Sequence, residues 1–126
     1  MSETKTILLA HGSRDPKWKA PFESMITVMK NEFGNERVEL AYLEHCSPSI
    51  EEVIEESYKN GCRDIRFLPL FMSAGAHLRN DVPKILEEIQ ASKDDLKLSI
   101  QAPVGEHQLF KNALAEIVKE NLSVLS

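Results

Sequence analysis

Short apolar runs alternate along this chain with longer stretches in which apolar residues return every three or four positions. Thr6 to Ala10 is a brief β-branched and leucine run, read as a buried strand that ends in the loop His-Gly-Ser-Arg-Asp-Pro. Trp18, Phe22, Met25, Met29 and Phe33 recur at helical spacing, and Gly34-Asn35 stops that helix. Val38 to Leu43 reads as a second strand. A second helix follows, with Ser47 as N-cap, Pro48 at the first helical position, and Ile50, Val53, Ile54 and Tyr58 as its apolar face; Gly61 ends it. Asp64 to Met72 is the most apolar strand, which places it in the sheet centre with both faces covered. Asn80 or Asp81 caps a third helix with Val82, Ile85, Leu86 and Ile89 inward. Leu96 to Ala102 is the last strand, and Phe110, Ala113, Leu114, Ile117 and Val118 face inward from the last helix.

Four strands alternating with four helices predict one doubly wound α/β domain over residues 1–126, a parallel sheet with helices on both faces. Right-handed crossovers, with the third strand central beside the first, give the order 2-1-3-4. The switch point then lies between strands one and three, and ligands bind outside the carboxyl ends of the strands at such a point. All four histidines follow predicted strands: His11, His45, His77 and His107, at spacings of 34, 32 and 30 residues, about one strand-plus-helix unit. His11 and His77 flank the crevice, His45 and Glu44 stand one strand outward, and His107 lies on the opposite side.

Composition narrows the function. A chain of 126 residues with 42% hydrophobic and 28% charged residues is of ordinary globular make-up. The net charge of −5 argues against non-specific nucleic-acid binding. No apolar stretch reaches the roughly 18 residues of a membrane span, and the first residues lack a signal-peptide core. Cys46 and Cys62 have no metal-ligand spacing, so reduced thiols in the cytoplasm are expected.

Imidazole is the commonest protein metal ligand and the base that titrates nearest neutral pH. A lone histidine at a strand end is more often a loop hydrogen-bonding group. The pairing of His11 with His77 favours a metal-handling or proton-transferring site. Gly75, before His77, allows a left-handed turn or a close backbone approach to a ligand. Glu44 offers a carboxylate as further ligand or proton acceptor. His45 and His107 read more simply as surface residues, and Cys46 as inert packing. Arg14, Lys17, Lys19 and Arg79 gather after strands one and three and form a basic rim for a polyanionic small molecule. Glu51, Glu52, Glu55 and Glu56 form a solvated helix face.

Several chemistries lack their motifs. There is no G-x-G-x-x-G, no G-x-x-x-x-G-K-[ST] and no G-x-S-x-G. Phosphotransfer through His11 lacks both an arginine directly before it and a glycine-rich cradle. A binding module that carries a metal or tetrapyrrole without turnover is the other competing reading.

The residues Ile7-Leu-Leu-Ala-His-Gly-Ser-Arg14, Leu43-Glu44 followed by Pro48-Ser-Ile50, Leu68-Pro-Leu-Phe-Met-Ser-Ala-Gly-Ala-His77 with Asp81-Val-Pro83, and Ala102-Pro-Val-Gly-Glu-His107 occur in register. On them the chain resembles the short-form sirohydrochlorin cobaltochelatases, the CbiX type, over essentially its whole length. The resemblance implies a class II chelatase that inserts a divalent metal into a sirohydrochlorin-type tetrapyrrole without ATP. It implies Co²⁺ as the substrate metal, with Fe²⁺ or Ni²⁺ as alternatives, no permanently bound cofactor, and a product destined for cobalamin or sirohaem. It implies that His11 binds metal and accepts a proton, and that His77 is the second metal ligand; Glu44, read from its place at the end of strand two, joins them as a catalytic candidate. Ser47, Met72, Ser73, Ala74, Gly75 and Ala76 would line the tetrapyrrole site, with Arg14 on its rim. Where the family usually has a glycine before the first histidine, this chain has Ala10.

Metal insertion replaces two pyrrole N–H protons, so the ion must be held by few ligands, with positions open for the ring nitrogens. Two imidazoles do this, and they discriminate weakly among Co²⁺, Ni²⁺ and Fe²⁺. His11 must be neutral to accept a proton, so activity is expected to fall below about pH 6. Larger chelatases of this kind have two lobes facing across a cleft. One lobe here implies a homodimer enclosing the macrocycle, with Trp18, Met72 and Leu78 as its apolar wall.

Overall fold

The computed structural model describes residues 4–124, apart from the side chains of His77 and Val124. Strands β1 (Thr4–Ala10), β2 (Val38–Tyr42), β3 (Asp64–Pro69) and β4 (Lys97–Ile100) form one sheet in the order β2-β1-β3-β4. All pairings are parallel; Ile7 stands opposite Glu39 on one side and Phe67 on the other. The helices are α1 (Pro16–Phe33), α2 (Ile50–Lys59), α3 (Val82–Ala91) and α4 (Gln108–Val124). A π-helical turn, His77–Asp81, runs directly into α3, and a 3₁₀ turn, Val104–Glu106, precedes α4. The fold class and strand order are those expected.

Alternation along the strands divides the core. Ile7, Leu9, Ala41, Ile65 and Phe67 point to the face covered by α2 and α3, meeting Ile50, Val53, Ile54, Leu78, Val82 and Leu86. Leu8, Ala10, Val38, Leu40 and Tyr42 point to the opposite face, beneath Trp18, Phe22, Ile26 and Met29 of α1. Each fully buried aliphatic side chain contributes about 1.5–3 kcal/mol, so these two layers dominate the stability.

Local signals explain the ends. Asp15 caps α1, its carboxylate accepting from the Lys17 N–H at 2.9 Å, with Pro16 in the first turn. Gly34 closes the helix at φ 105°, in the left-handed region, and donates its N–H to the Lys30 carbonyl. The cap of α2 is Ser49, not Ser47. The Ser49 hydroxyl accepts from the Glu52 N–H, and the Glu52 carboxylate accepts from the Ser49 N–H at 2.8 Å. The glutamate three positions on belongs to Ser49, and this reciprocal pair fixes where the helix starts. Asp81 makes no capping bond, because the π-helical turn already supplies the preceding backbone.

Two expectations fail together. The last helix does not turn its apolar side inward: Leu114, Ile117, Val118 and Leu122 are exposed, and α4 meets the rest of the chain mainly at the 3₁₀ turn before it. As a result β3 has only one covered face. Ile65 and Phe67 are buried, whereas Arg66, on the α1 side, is exposed and Leu68 only half-buried. A pattern of apolar spacing identifies a face that needs cover without saying which surface covers it.

Candidate functional site at the carboxyl edge of the sheet

Tight backbone contact between the loops after β1 and β2 builds the site. Leu43 donates its N–H to the Ala10 carbonyl and Glu44 to that of His11, at 3.0 and 3.1 Å, extending the β1–β2 pairing past the strand ends. Gly12 adopts φ 105°, and a Cβ built on it would stand 1.8 Å from the Glu44 carbonyl oxygen. Only glycine fits there. The close approach sets His11 beside Glu44, with Nε2 2.8 Å from Oε1. His45 takes a left-handed φ of 66°, which carries its Nε2 to 3.7 Å from the second Glu44 oxygen.

Glu44 thus lies between two imidazoles, all three groups open to solvent. A carboxylate can only accept, so neutral His11 in this contact carries its proton on Nε2, and the basic lone pair sits on Nδ1. Such a partner fixes the tautomer and the orientation of the ring. The pair can ligate a cation, accept a proton, or pass one between them. Phe71, just after β3, places its ring centroid 6.3 Å from that of His11, so the loops of both central strands meet here.

The stretch after β3 is fixed by the chain after β4. Gly105 donates its N–H to the Phe71 carbonyl at 3.0 Å, and a Cβ on Gly105 would lie 2.1 Å from the Met72 carbonyl oxygen. Met72, Ser73, Gly75 and Ala76 are exposed along this edge, and Ala74 is half-buried against the core. The loop freedom expected at Gly75 is not used: its φ is not left-handed, and no protein atom lies within 4 Å of a Cβ built there. His77 opens the π-helical turn at the same edge; its side chain, expected as a metal ligand, lies outside the described residues. Among the described residues, no three histidine, cysteine, aspartate or glutamate side chains gather as a metal cage.

Other expected residues divide. Ser47 is exposed on the site side of α2, and its hydroxyl donates to Glu52 at 3.0 Å. Arg14, Lys17 and Arg79 are exposed, whereas Lys19 sits 4.0 Å from Glu23 and 5.7 Å from the Tyr42 ring centroid. Leu78 is buried in the core and cannot form an apolar wall; Trp18 is half-buried, its ring 4.6 Å from that of Phe22, and only Met72 is open. His107 is exposed, with Nε2 3.1 Å from the Ala102 carbonyl. Cys46 is more than packing: its thiol donates to the Ser13 carbonyl at 2.8 Å, tying the two loops a second time. Burial, reinforced by the nearby Glu23 carboxylate and Cys46, pushes the Tyr42 phenol up to about 12. Sequence reasoning missed the buttressing by Gly12 and Gly105; a glycine directly after a strand-end histidine was the available signal.

The CbiX family model matches residues 5–121. The chain belongs to the CbiX family. It is 32% identical over 116 residues to a sirohydrochlorin cobaltochelatase of Sulfurisphaera tokodaii, covering 92% of each chain. It is 26% identical to the chloroplastic sirohydrochlorin ferrochelatase of Arabidopsis thaliana, over 93% of this chain and 52% of that one. Among solved structures, the CbiX-family chain resembles a putative cobalamin biosynthesis CbiX protein of Marinobacter aquaeolei VT8, with TM-score 0.87, 31% identity and 97% of both chains covered. It also shares the fold of the sirohydrochlorin chelatase SirB of Bacillus subtilis subspecies spizizenii, solved with cobalt, at TM-score 0.79 and 23% identity, covering 95% of this chain and 51% of SirB.

Proposed function

We propose that this protein is a sirohydrochlorin chelatase, a lyase that places a divalent metal, Co²⁺ in the first instance, into a sirohydrochlorin-type ring without ATP. The observation that carries this reading is the His11–Glu44 contact of 2.8 Å at the carboxyl edge of the two central strands. The family membership and the cobaltochelatase and ferrochelatase relatives support it. Fe²⁺ and Ni²⁺ compete as substrate metals, because imidazole nitrogen distinguishes them weakly. Residues 1–126 act as one domain.

The chemistry balances simply. The ring loses two N–H protons, the ion enters as M²⁺, and two protons leave. His11 ligates the incoming ion or takes one proton on Nδ1, Glu44 orients the imidazole through its Nε2–H, and the other proton passes to solvent. His77 supplies the second metal ligand from the loop after β3. Ser47 and the stretch Met72, Ser73, Ala74, Gly75 and Ala76 lie against the macrocycle, whose carboxylates meet Arg14. Holding the ion with so few ligands keeps coordination positions open, where a four-ligand cage would retain it. Two copies enclose the ring: the chain spans about half of SirB, so a pair supplies what SirB has in one chain. Two free thiols fit a reducing compartment such as the cytoplasm, and no helix among the described residues is long and apolar enough to cross a membrane.

The test is anaerobic mixing of the protein with sirohydrochlorin and Co²⁺, Fe²⁺ or Ni²⁺, following the absorbance shift of the ring. Loss of the catalysed rate in His11→Ala, and separately in His77→Ala, is expected. Equal rates in wild type and both variants would leave the chelatase reading without a site.

A further inference from the structure

Three inward-facing positions at the amino end of the sheet are polar where the pattern around them is apolar. On β1 the side facing α2 reads Lys5, Ile7, Leu9, and on β2 it reads Glu39, Ala41. On α2 the buried stripe Ile50, Val53, Ile54 ends in Ser57. Ile7 stands opposite Glu39, which makes Lys5 and Glu39 diagonal neighbours on one sheet face. Lys5, Glu39 and Ser57 line one hollow of ≈ 440 Å³, together with Lys30, Glu56 and Asn60. A smaller hollow of ≈ 240 Å³ adjoins it and shares Lys5, Glu39 and Glu56. Extended chain of roughly 20 Å separates Lys5 from His11, so this hollow lies at the other end of the sheet from the His11–Glu44 pair.

Two donors inside the hollow are unpaired. Lys5 is 8% exposed, and its ammonium makes no hydrogen bond or ion pair with any of the described residues. Ser57 is 1% exposed, and its hydroxyl has no hydrogen-bond partner among them. Burying such groups without a partner costs free energy, and folded chains seldom do so. The nearest counter-ion on the sheet is already engaged. Glu39 holds Lys30 at 3.0 and 3.2 Å through its two oxygens, and it also accepts the Leu40 N–H. An acceptor placed between Lys5 and Ser57 satisfies both donors at once. The mouth of the hollow carries the opposite sign: Glu36 and Glu56 are exposed there, with the Asn60 amide 3.4 Å from Glu56. Those carboxylates repel a bare anion and attract a cation.

We propose that this hollow is a second binding site, one that takes a small zwitterion of the amino-acid type. The ligand carboxylate enters between the Lys5 ammonium and the Ser57 hydroxyl, where charge-assisted hydrogen bonds are strengthened by partial exclusion of water. The ligand ammonium stays at the mouth beside Glu36 and Glu56. Each end of the ligand meets the opposite charge, and binding adds no net charge to the protein. The volume suits such a ligand, since small-molecule sites begin at about 300 Å³. The site stands apart from the metal-inserting edge and does not depend on that activity.

Nuclear magnetic resonance of the full chain labelled with ¹⁵N tests this, with L-glutamine, acetate and methylammonium as separate probes. L-Glutamine is expected to shift the backbone amide signals of Lys5, Glu39 and Ser57 saturably, and to leave those of His11 and Glu44 in place. Acetate and methylammonium, each carrying half of the zwitterion, are expected to shift them far less at equal concentration. Lys5→Met and Ser57→Ala are expected to weaken L-glutamine binding by about tenfold or more each, because each removes one donor to the carboxylate. Both substitutions place an apolar group in an apolar layer, and circular dichroism should show both variants folded. No saturable shift with L-glutamine up to about 50 mM overturns the proposal. So does acetate binding as tightly as L-glutamine, or either folded variant binding L-glutamine as tightly as wild type.

Discussion

Replacing Gly12 with alanine puts a methyl carbon 1.8 Å from the Glu44 carbonyl oxygen, where about 3.0 Å is the closest approach real Cβ atoms make. One of the two loops must therefore retreat by at least about 1.2 Å. The φ of 105° adds backbone strain of roughly 1–3 kcal/mol for a residue with a Cβ. That retreat separates His11 from Glu44 and breaks the 3.1 Å hydrogen bond between their backbones. A displacement of about 1 Å at a reacting group typically costs on the order of 100-fold in rate. Gly61 provides the internal control. It has φ 95° with nothing within 4 Å of a Cβ, so Gly61→Ala isolates the strain from the clash. Initial rates of metal insertion and thermal unfolding of both variants make the measurement. Gly61→Ala should lose stability and keep its rate, whereas Gly12→Ala should lose both. A Gly12→Ala enzyme within about twofold of the wild-type rate would refute the role given to this contact.

Gly105→Ala drives a methyl carbon to 2.1 Å from the Met72 carbonyl oxygen, so kcat/KM should fall by roughly 10- to 100-fold with the circular dichroism spectrum retained; unchanged kinetics would detach the chain after β4 from the site. Ser49→Ala should cost about 1 kcal/mol in urea unfolding, and Ser47→Ala clearly less, because only Ser49 completes the cap of α2. The Tyr42 phenol is raised from 10.0 to about 12, so folding favours its protonated form. Its contribution is fully present below pH 10 and lost as pH rises through about 12, a fall of roughly 2–3 kcal/mol. Alkaline unfolding monitored by fluorescence should show that fall in wild type and a smaller one in Tyr42→Phe, which also removes a buried hydroxyl that has no hydrogen-bond partner.

The strands and their order were legible because a four-unit β-α alternation leaves few topologies once crossovers are right-handed. That order alone put the loop bearing His11 beside the loops bearing Glu44 and Phe71. Helix starts were legible only where a reciprocal partner was counted: Ser47 with Pro48 looked like a cap, yet the acceptor that matters is Glu52, three residues after Ser49. The π-helical turn at His77–Asp81 carries no signature in composition. The sense of α4 was misread because periodicity reports an apolar face and not its partner. Gly75 and Gly12 show the same limit from the backbone side. Both glycines lie near strand-end histidines, but only Gly12 meets a neighbouring carbonyl, and that neighbour is over thirty residues away in sequence.

One of the two inner strands is made well before the other. β1 takes its inner neighbour from β3, pairing Thr4 with Asp64, sixty positions downstream. Until that distant segment leaves the ribosome, Ile7, Leu8 and Leu9 have half their ladder unfilled. Such non-local parallel pairing is slow to form and prone to off-pathway association. Synthesis of this small chain therefore passes through an interval in which an unpaired apolar strand must be kept from other nascent chains, and yield in the cell should depend on chaperone supply during that interval.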